Sequence, residues 1–259
     1  MGRLLENLLH LNHLRKFVGF EVLGAALKTE FKHKLIGKPE GKKVLVLAPH
    51  FDDDVLGCGG TLALHTLAKD QIQIVYLTAE ASTAEIRKAE AKQAAKILGA
   101  NELTFLDRPD GKLGVDAEII KALSQIISQE KPDLIYTPTF DDPHPDHLAT
   151  CQNLARALEQ TPFAGQIFSY EIWSPIFANR LVKIDETIEQ KKQAMLAHAS
   201  QLKERSYLEA LLGLASYRAG MFNHGKYAEA FFACDRQLYL KLFDLIKKTS
   251  GKAGIAQLS

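Results

Sequence analysis

Short apolar runs alternate with longer amphipathic stretches along most of this chain. The runs VLVLAPH, QIQIVYLTA, ELTFLD and DLIYTPTF have the length and the β-branched or aliphatic content of strands. Between them, apolar residues recur at helical spacing, for example in TAEIRKAEAKQAAKILGA and AEIIKALSQIISQEKPD. Strands that alternate with helices in this way predict an α/β fold, in which a mostly parallel sheet carries helices on both faces. The continuous apolar character of the first run indicates a strand that is buried on both faces.

The second half of the chain continues with a less regular pattern. GQIFSYEIWSP and RLVKID predict strands, residues 185–222 predict two helices, and the residues after Phe243 become small and polar. We find no internal repeat and no clear linker. We therefore predict an amphipathic helical extension over residues 1–40, one domain over residues 41–245 and a flexible tail over residues 246–259.

The predicted extension has two alternative interpretations. Its apolar residues recur at helical spacing, with Arg, Lys and His between them; they are Leu4, Leu5, Leu8, Leu9, Leu11, Leu14 and Val18. This pattern favours a helix that packs on the body of the protein or on a partner. The alternative is a basic amphipathic helix within residues 1–38 that lies on a membrane surface.

Composition and charge exclude several classes of protein. The 259 residues carry a formal net charge of +1, which argues against a nucleic-acid partner. The three cysteines, Cys58, Cys151 and Cys234, are too far apart for a disulfide framework or a CxxC zinc site. We see no secretory signal and no membrane span, so we expect a cytoplasmic protein, peripheral to the membrane if the extension docks there. Nothing in the sequence indicates an oligomeric state.

Two polar clusters follow predicted strands. APHFDDDVLGCGG contains His50, Asp52, Asp53 and Asp54, and DDPHPDH contains a second pair of histidines. Three adjacent carboxylates repel one another unless a positive charge lies among them. Ligands of open parallel sheets bind beyond the carboxyl ends of the strands, so the two clusters converge if their strands are neighbours.

Convergence would create a metal site with catalytic groups beside it. His50, Asp53 and His147 form a common zinc set, which leaves one coordination position open. Asp52 is then the candidate general base, and His144 is the candidate group that stabilises an oxyanion or protonates the leaving group. These parts suit the hydrolysis of an amide. The alternative is that both clusters are capped helix starts without a metal.

A further carboxylate and a run of glycines complete the two clusters. We expect Asp146 to hold His144 in its protonated form or in the correct tautomer. The glycines of GCGG lack the spacing of a phosphate-binding loop, so we expect them to allow close packing of a helix on the sheet.

The two motifs resemble those of the LmbE-like (PIG-L) N-deacetylases. PHFDDDVLGCGG is similar to that family's P-H-P-D-D-E-x-x-G-x-G-G motif, and HPDH at 144–147 matches its second motif. The resemblance covers roughly Lys43 to Phe232. It implies a Rossmann-like fold and a zinc-dependent hydrolase that removes an acyl group, usually acetyl, from an N-acylglucosamine unit. It implies the same ligands and the same roles as above.

The chain departs from the family pattern at two positions. Phe51 replaces a proline and could reshape the turn or the pocket wall, and Asp54 replaces a glutamate whose partner it could fail to reach. The alternatives to a deacetylase are an inactive sugar- or nucleotide-binding protein on the same fold, and a metal-dependent esterase. Fe²⁺ is the alternative to Zn²⁺, since two histidines and one carboxylate accept both.

Other residues are weaker candidates for substrate binding. Arg87 could hold a substrate group or pair with Glu90, and Trp173, like Tyr170, could stack on a sugar or pack in the core. His198, in the family-like HASQ, could line the site or lie on a helix surface. The expected substrate is an amino-sugar conjugate, either a small molecule or a lipid-linked sugar.

Overall fold

The computed structural model describes residues 34–203, 205–222 and 224–252, with the side chains of residues 248–252 left out. Predictions for residues 1–33 and 253–259 lie outside the described residues. In chain order the elements are β1 (Lys34–Ile36), β2 (Lys43–Ala48), α1 (Asp53–Leu67), β3 (Gln71–Ala79), α2 (Ala84–Leu98), β4 (Glu102–Pro109), α3 (Ala117–Glu130), β5 (Leu134–Pro138), α4 (Pro145–Gln160), β6 (Gln166–Tyr170), β7 (Arg180–Lys183), α5 (Ile188–Ala197), α6 (Ala199–Leu202), α7 (Tyr207–Gly220), β8 (Ala228–Asp235) and α8 (Arg236–Lys252).

The strands form one mixed sheet, as the apolar runs predict. Its order is β1-β7-β8-β6-β5-β2-β3-β4. All paired neighbours are parallel except β8, which is antiparallel to both β6 and β7. From β2 the chain proceeds through β3 to β4 at one edge and then returns to β5 on the other side of β2. The order therefore reverses between β2 and β5, and such a switch point is where α/β sheets bind ligands.

Helices cover both faces of the sheet and create two layers of core. Helices α1, α2, α5 and α7 pack with the sheet around one cluster of buried apolar residues. Helices α3, α4 and α8 pack around the other. The central strands β2 and β5 are buried almost throughout, which explains their unbroken apolar runs.

The glycines of GCGG let α1 approach its neighbours, as predicted. A Cβ on Gly57 would lie 2.3 Å from the Tyr170 ring, and one on Gly60 would lie 2.7 Å from Ile184. Close to this contact, the Glu229 carboxylate on β8 accepts hydrogen bonds from the backbone N–H groups of Gly60 and Thr61 and from Lys191. Glu229 is thus a buried structural residue.

The structure differs from the predicted segments at several places. Strand β1 lies within the predicted extension and pairs with β7, so the sheet begins before residue 40. Helix α8 continues to Lys252, so the predicted flexible tail from residue 246 is helical over its first residues. Residues 185–222 contain three helices where the periodicity predicts two, because a break at His198 separates α5 from α6.

Within the described residues, no helix is long and apolar enough to cross a membrane.

Candidate metal centre

The candidate site lies at the switch point of the sheet, where the ends of β2 and β5 meet. β2 ends at Ala48, and the turn that follows carries His50 into the N-terminus of α1, which begins at Asp53. β5 ends at Pro138, and α4 begins at Pro145 with His144 as its N-cap. The two strands are paired neighbours, so the two polar clusters converge as predicted.

Three side-chain atoms of the predicted ligand set form a small triangle. His50 Nδ1 lies 3.0 Å from Asp53 Oδ2, and His147 Nε2 lies 3.3 Å from both of these atoms. In a tetrahedral zinc site with bond lengths of about 2.0–2.1 Å, neighbouring ligand atoms lie about 3.3–3.4 Å apart. The triangle therefore has the size that such a site requires.

Each histidine of the triangle has a carboxylate at its other ring nitrogen. His50 Nε2 lies 3.2 Å from Asp146 Oδ2 and 3.3 Å from Asp110 Oδ1. His147 Nδ1 lies 3.2 Å from Asp142 Oδ2. Carboxylates in this position fix the tautomer and orientation of a metal-binding imidazole, so that the nitrogen facing the metal is the unprotonated one.

The charges around the triangle favour a cation. Burial lowers the pKa of His50, but the carboxylates of Asp53, Asp110 and Asp146 outweigh it and raise that pKa to about 12. Burial likewise lowers the pKa of His147, but Asp53 and Asp142 raise it to about 9. Burial opposes ionisation of Asp53, yet the two histidines hold its pKa well below its usual range. The donor types and the negative surroundings both fit a divalent metal ion.

Two other groups of side chains also come close enough to share a cation. They are His50, His144 and His147, and His50, Asp110 and Asp146, each with ligand atoms within 4.8 Å of one another. The first group places His144 beside the triangle. The second uses the far nitrogen of His50, which faces away from Asp53.

The three adjacent acids occupy three different environments. Asp53 belongs to the triangle. Asp52 is buried and accepts a hydrogen bond of 2.6 Å from Gln201 Nε2; burial and the charge of Asp53 raise its pKa to about 7. Asp54 accepts a hydrogen bond from the hydroxyl of Tyr76 at 3.2 Å, and burial raises its pKa to about 8. The repulsion among the acids is therefore relieved partly by neutralising Asp54. The alternative that Asp52 caps α1 fails, since its side chain makes no capping hydrogen bond.

Of the two states expected for His144, protonated or held in one tautomer, the structure favours the neutral tautomer. Burial and the positive charge at His50 and His147 lower its pKa. Its Nδ1 accepts a hydrogen bond from the backbone N–H of Asp146 at 3.2 Å, so Nε2 carries the proton of the neutral ring. His144 thus caps α4 and presents a neutral N–H donor.

Asp146 contacts the His144 ring through its backbone N–H, and its carboxylate is directed elsewhere. The oxygens of Asp146 are taken up by His50 and by the backbone N–H groups of Gly111 and Leu113. Because Asp146 lies in the first turn of α4, its side chain turns toward the loop after β4. Asp146 therefore orients His50.

Sequence reasoning missed three residues of the site. Asp142 was one of two adjacent acids in a loop, and Asp110 follows β4 in a segment that resembles an ordinary turn. Gln201 lies in the HASQ segment, where an amide side chain gives no chemical signal. Glu90 on α2 holds that segment by accepting hydrogen bonds from the Ser200 backbone N–H and hydroxyl at 2.8 and 2.6 Å.

The structure places the weaker candidates for substrate binding in different surroundings. Trp173 is 41% exposed, and its indole stacks on the His144 ring at 6.2 Å, so core packing is wrong for this residue. Tyr170 is buried and donates to the backbone carbonyl of Leu47, as core packing predicts. His198 is fully buried, which excludes a surface position. Arg87 Nη2 lies 3.6 Å from Glu80 Oε2, so the guanidinium forms an ion pair with this residue.

The remaining predicted residues lie in the core. Phe51 packs edge-on against the rings of Tyr76 and Phe105, at 5.5 and 5.7 Å, and does not form a pocket wall. Cys58, Cys151 and Cys234 are free and buried.

Comparison with known proteins identifies relatives of the chain. A family model described as PIG-L, GlcNAc-PI de-N-acetylase, matches residues 45–158. Diacetylchitobiose deacetylase of Thermococcus kodakarensis is 29% identical over 254 residues, covering 83% of this chain and 91% of that protein. The uncharacterized deacetylase YaiS of Escherichia coli is 35% identical over 141 residues, covering 50% of this chain and 74% of that protein.

Solved structures agree with the sequence comparison. The N,N'-diacetylchitobiose deacetylase of Pyrococcus horikoshii, in complex with an inhibitor, superposes with a TM-score of 0.68 at 25% identity. The match covers 85% of this chain and 94% of that one. Fold, paired motifs and relatives agree, and the chain belongs to the PIG-L (LmbE-like) family.

Proposed function

We propose that this protein is a metal-dependent N-deacetylase, which hydrolyses the acetamide of an N-acetylglucosamine-type substrate to a free amine and acetate. The observation that carries the proposal is the triangle of His50 Nδ1, Asp53 Oδ2 and His147 Nε2, with Asp52 and His144 beside it. Relatives named as deacetylases support the same reaction class. The bound metal is zinc or ferrous iron, since the ligand set suits both.

When bound, a divalent ion supplies Lewis acidity, which polarises a carbonyl and lowers the pKa of a water molecule. The protein contributes the geometry. Asp142, Asp146 and Asp110 keep the two histidine rings turned toward the triangle. The carboxylates also concentrate negative charge where the cation binds.

Asp52 is the group that exchanges a proton with the reactants. Asp52 directly precedes the ligand Asp53, and its buried carboxylate is held by Gln201, which places it to accept a proton and to return one. It would take a proton from the attacking water and pass one to the departing amine nitrogen.

His144 would stabilise the negative charge that develops on the acetyl oxygen. Its Nε2–H is directed by the hydrogen bond at Nδ1, and a neutral donor needs no proton transfer at this step. Stacking on Trp173 restricts the rotation of the ring. His144 therefore acts as a fixed hydrogen-bond donor.

The test is acetate release from N-acetylglucosamine and N,N'-diacetylchitobiose by the full-length protein. We expect release by metal-loaded protein, loss on chelation, recovery with Zn²⁺ or Fe²⁺, and loss of at least 100-fold in Asp52→Asn with its metal retained. Full activity of Asp52→Asn would contradict the assigned base.

The same assay separates the two alternatives. An inactive binding protein would bind these sugars without releasing acetate. An esterase would release acetate faster from O-acetylated than from N-acetylated sugars.

The location of the enzyme in the cell and the role of its N-terminal residues form a separate proposal. We propose action in the cytoplasm on a small or lipid-linked amino sugar, with residues 1–38 either packed on the protein or bound to a membrane. Liposome flotation of the full chain and of a form lacking residues 1–33, which keeps β1, distinguishes these. Equal recovery of the two forms with the liposomes would exclude membrane binding through this segment.

A further inference from the structure

A second feature of the carboxyl edge of the sheet is an apolar cavity of about 250 Å³ next to the candidate metal centre. It lies between the chain that follows β6 and helix α7. Its apolar lining includes Leu56, Ile172, Trp173, Ala210, Leu211 and Leu214.

Trp173 lies between the cavity and the candidate site and contacts both. The Trp173 ring stacks on His144, whose ring lies 4.6 Å from that of His50. The Trp173 backbone N–H donates to Asp142, the carboxylate beside His147. A substrate held at the triangle would reach the cavity by passing His144 and Trp173.

The polar groups of the lining are largely neutralised. Glu171 lines the cavity, but both its oxygens are bonded to the Arg218 guanidinium, and one also accepts from the Ile176 backbone N–H. Arg205 lies over the Trp173 ring, 4.9 Å from its centroid. Apart from Ser206, the rest of the lining is aliphatic or aromatic, and it suits a hydrocarbon group better than a sugar hydroxyl.

The volume exceeds what the acetyl group needs. About 250 Å³ equals the share of roughly eight water molecules in the liquid. Because the acetyl carbonyl must reach the triangle, the part of the substrate beyond His144 lies several bonds from the scissile amide. A substituent at the glycosidic position satisfies this requirement.

We propose that the cavity binds an apolar aglycone, so that the preferred substrate is an N-acetylglucosaminide of a hydrophobic alcohol. The inference rests on the proposed deacetylase function. Each methylene that enters the cavity should improve kcat/KM by about fourfold, mainly through KM, until the cavity is full.

The experiment compares methyl, butyl, hexyl and octyl glycosides of N-acetylglucosamine with full-length, metal-loaded enzyme. We expect kcat/KM to rise along the series. Ala210→Phe, which places a ring at the cavity edge, should reduce the octyl-to-methyl ratio at least tenfold. Ser216→Phe, exposed on the same helix and outside the lining, is the matched control and should keep the ratio.

Several results would overturn the proposal. One is a flat series with the methyl glycoside still hydrolysed, and another is a rising series that Ala210→Phe does not change. A preference for N-hexanoyl over N-acetyl glucosamine that is sensitive to Ala210→Phe would assign the cavity to the acyl group instead of the aglycone.

Binding can be followed without catalysis because the chain contains one tryptophan, Trp173. Titration with the octyl glycoside should shift the tryptophan emission at lower concentration than titration with the methyl glycoside. A shift without acetate release would support the cavity while contradicting the deacetylase. No shift with either ligand, in a protein that hydrolyses both, would contradict the cavity alone.

Discussion

Asp53 and Asp54 are adjacent residues whose side chains meet opposite surroundings. Asp53 faces two imidazoles, which keep its carboxylate ionised. Asp54 is buried against the Tyr76 hydroxyl, where burial favours the neutral acid. The difference follows from the turn into α1, which directs successive side chains in different directions.

We predict that Asp54→Asn keeps its metal and most of its activity, since an amide resembles the neutral acid in shape and hydrogen bonding. Asp53→Asn should lose metal, because it removes a charged ligand. Elemental analysis of the two purified variants is the measurement. Equal metal loss in both would contradict the assignment of separate roles.

Gln201 is the hydrogen-bond partner of the Asp52 carboxylate, and its substitution gives a second prediction. Gln201→Ala removes the hydrogen bond that orients Asp52, so kcat should fall about 10- to 100-fold, the equivalent of about 1.5–3 kcal/mol for a bond to a charged group. KM and metal content should stay close to the parent values. Steady-state kinetics and elemental analysis measure these quantities.

The control is to make the Gln201→Ala substitution in the Asp52→Asn variant. If Gln201 acts through Asp52, Gln201→Ala should have little further effect in that background. An undiminished further loss would show that the two residues act independently.

Among the elements, α1 connects the site to the core. Its first turn supplies Asp53, and its glycines allow Tyr170 and Ile184 to approach the helix backbone. The position of the metal ligand therefore depends on the packing one and two turns later in the same helix.

Two glycines of α1 give a matched pair of substitutions. A Cβ at Gly57 would overlap the buried Tyr170 ring at 2.3 Å, whereas at Gly59 the nearest atom is 3.4 Å away. We predict that Gly57→Ala lowers the free energy of unfolding by about 2 kcal/mol or more. Gly59→Ala should change it little or raise it by up to about 1 kcal/mol, because Ala favours helix. Urea unfolding measures both, and the reverse order would contradict the packing described.

Over the whole molecule, the sequence predicts the parallel part of the fold better than its edges. The buried runs of β2 and β5 are distinctive, because few other elements are apolar on both faces. β8 (Ala228–Asp235) was not predicted, since its pairing with the antiparallel partners β6 and β7 is set by tertiary packing. β1 has three residues, Lys34–Ile36, and is too short to show a pattern.

The residues of the site also divide into those that the sequence predicts and those that depend on the fold. His50, Asp53 and His147 are recognisable as metal ligands, because their residue types and their spacing are typical of such sites. Their supporting carboxylates depend on how loops fold back, so the contact of the Asp146 carboxylate was assigned to the wrong histidine. The lowered pKa of His144 is equally inaccessible from sequence, because it arises from burial and from charges that only the fold brings together.

The stability of the whole molecule should depend on buried histidines. Burial lowers the pKa of His65 and of His198 to about 4, against about 6.5 in an unfolded chain. Between these pH values each of these two histidines binds more protons in the unfolded state, so their contribution to stability should fall as pH decreases from 6.5 to 4. Asp52 and Asp54, whose pKa values are raised, contribute in the opposite direction over the same range. Each histidine contributes a loss of up to about 3 kcal/mol.

His65 offers a direct check of this pH dependence. Its Nδ1 lies 2.8 Å from Asp70 Oδ2, and its Nε2 lies 2.9 Å from the Tyr136 hydroxyl oxygen. Urea unfolding of both proteins across this range should show that the free energy of unfolding of the parent, relative to that of His65→Gln, falls as the pH decreases. An equal slope in both would contradict the contribution of His65.

The central claim is that the two motifs meet at one metal ion, and metal content tests it most directly. The measurement is elemental analysis of the parent and of His147→Ala after supplementation with Zn²⁺ or Fe²⁺. The account predicts about one equivalent in the parent and little in the variant, with both proteins folded. A folded parent without metal, or a variant that retains the full equivalent, would contradict it.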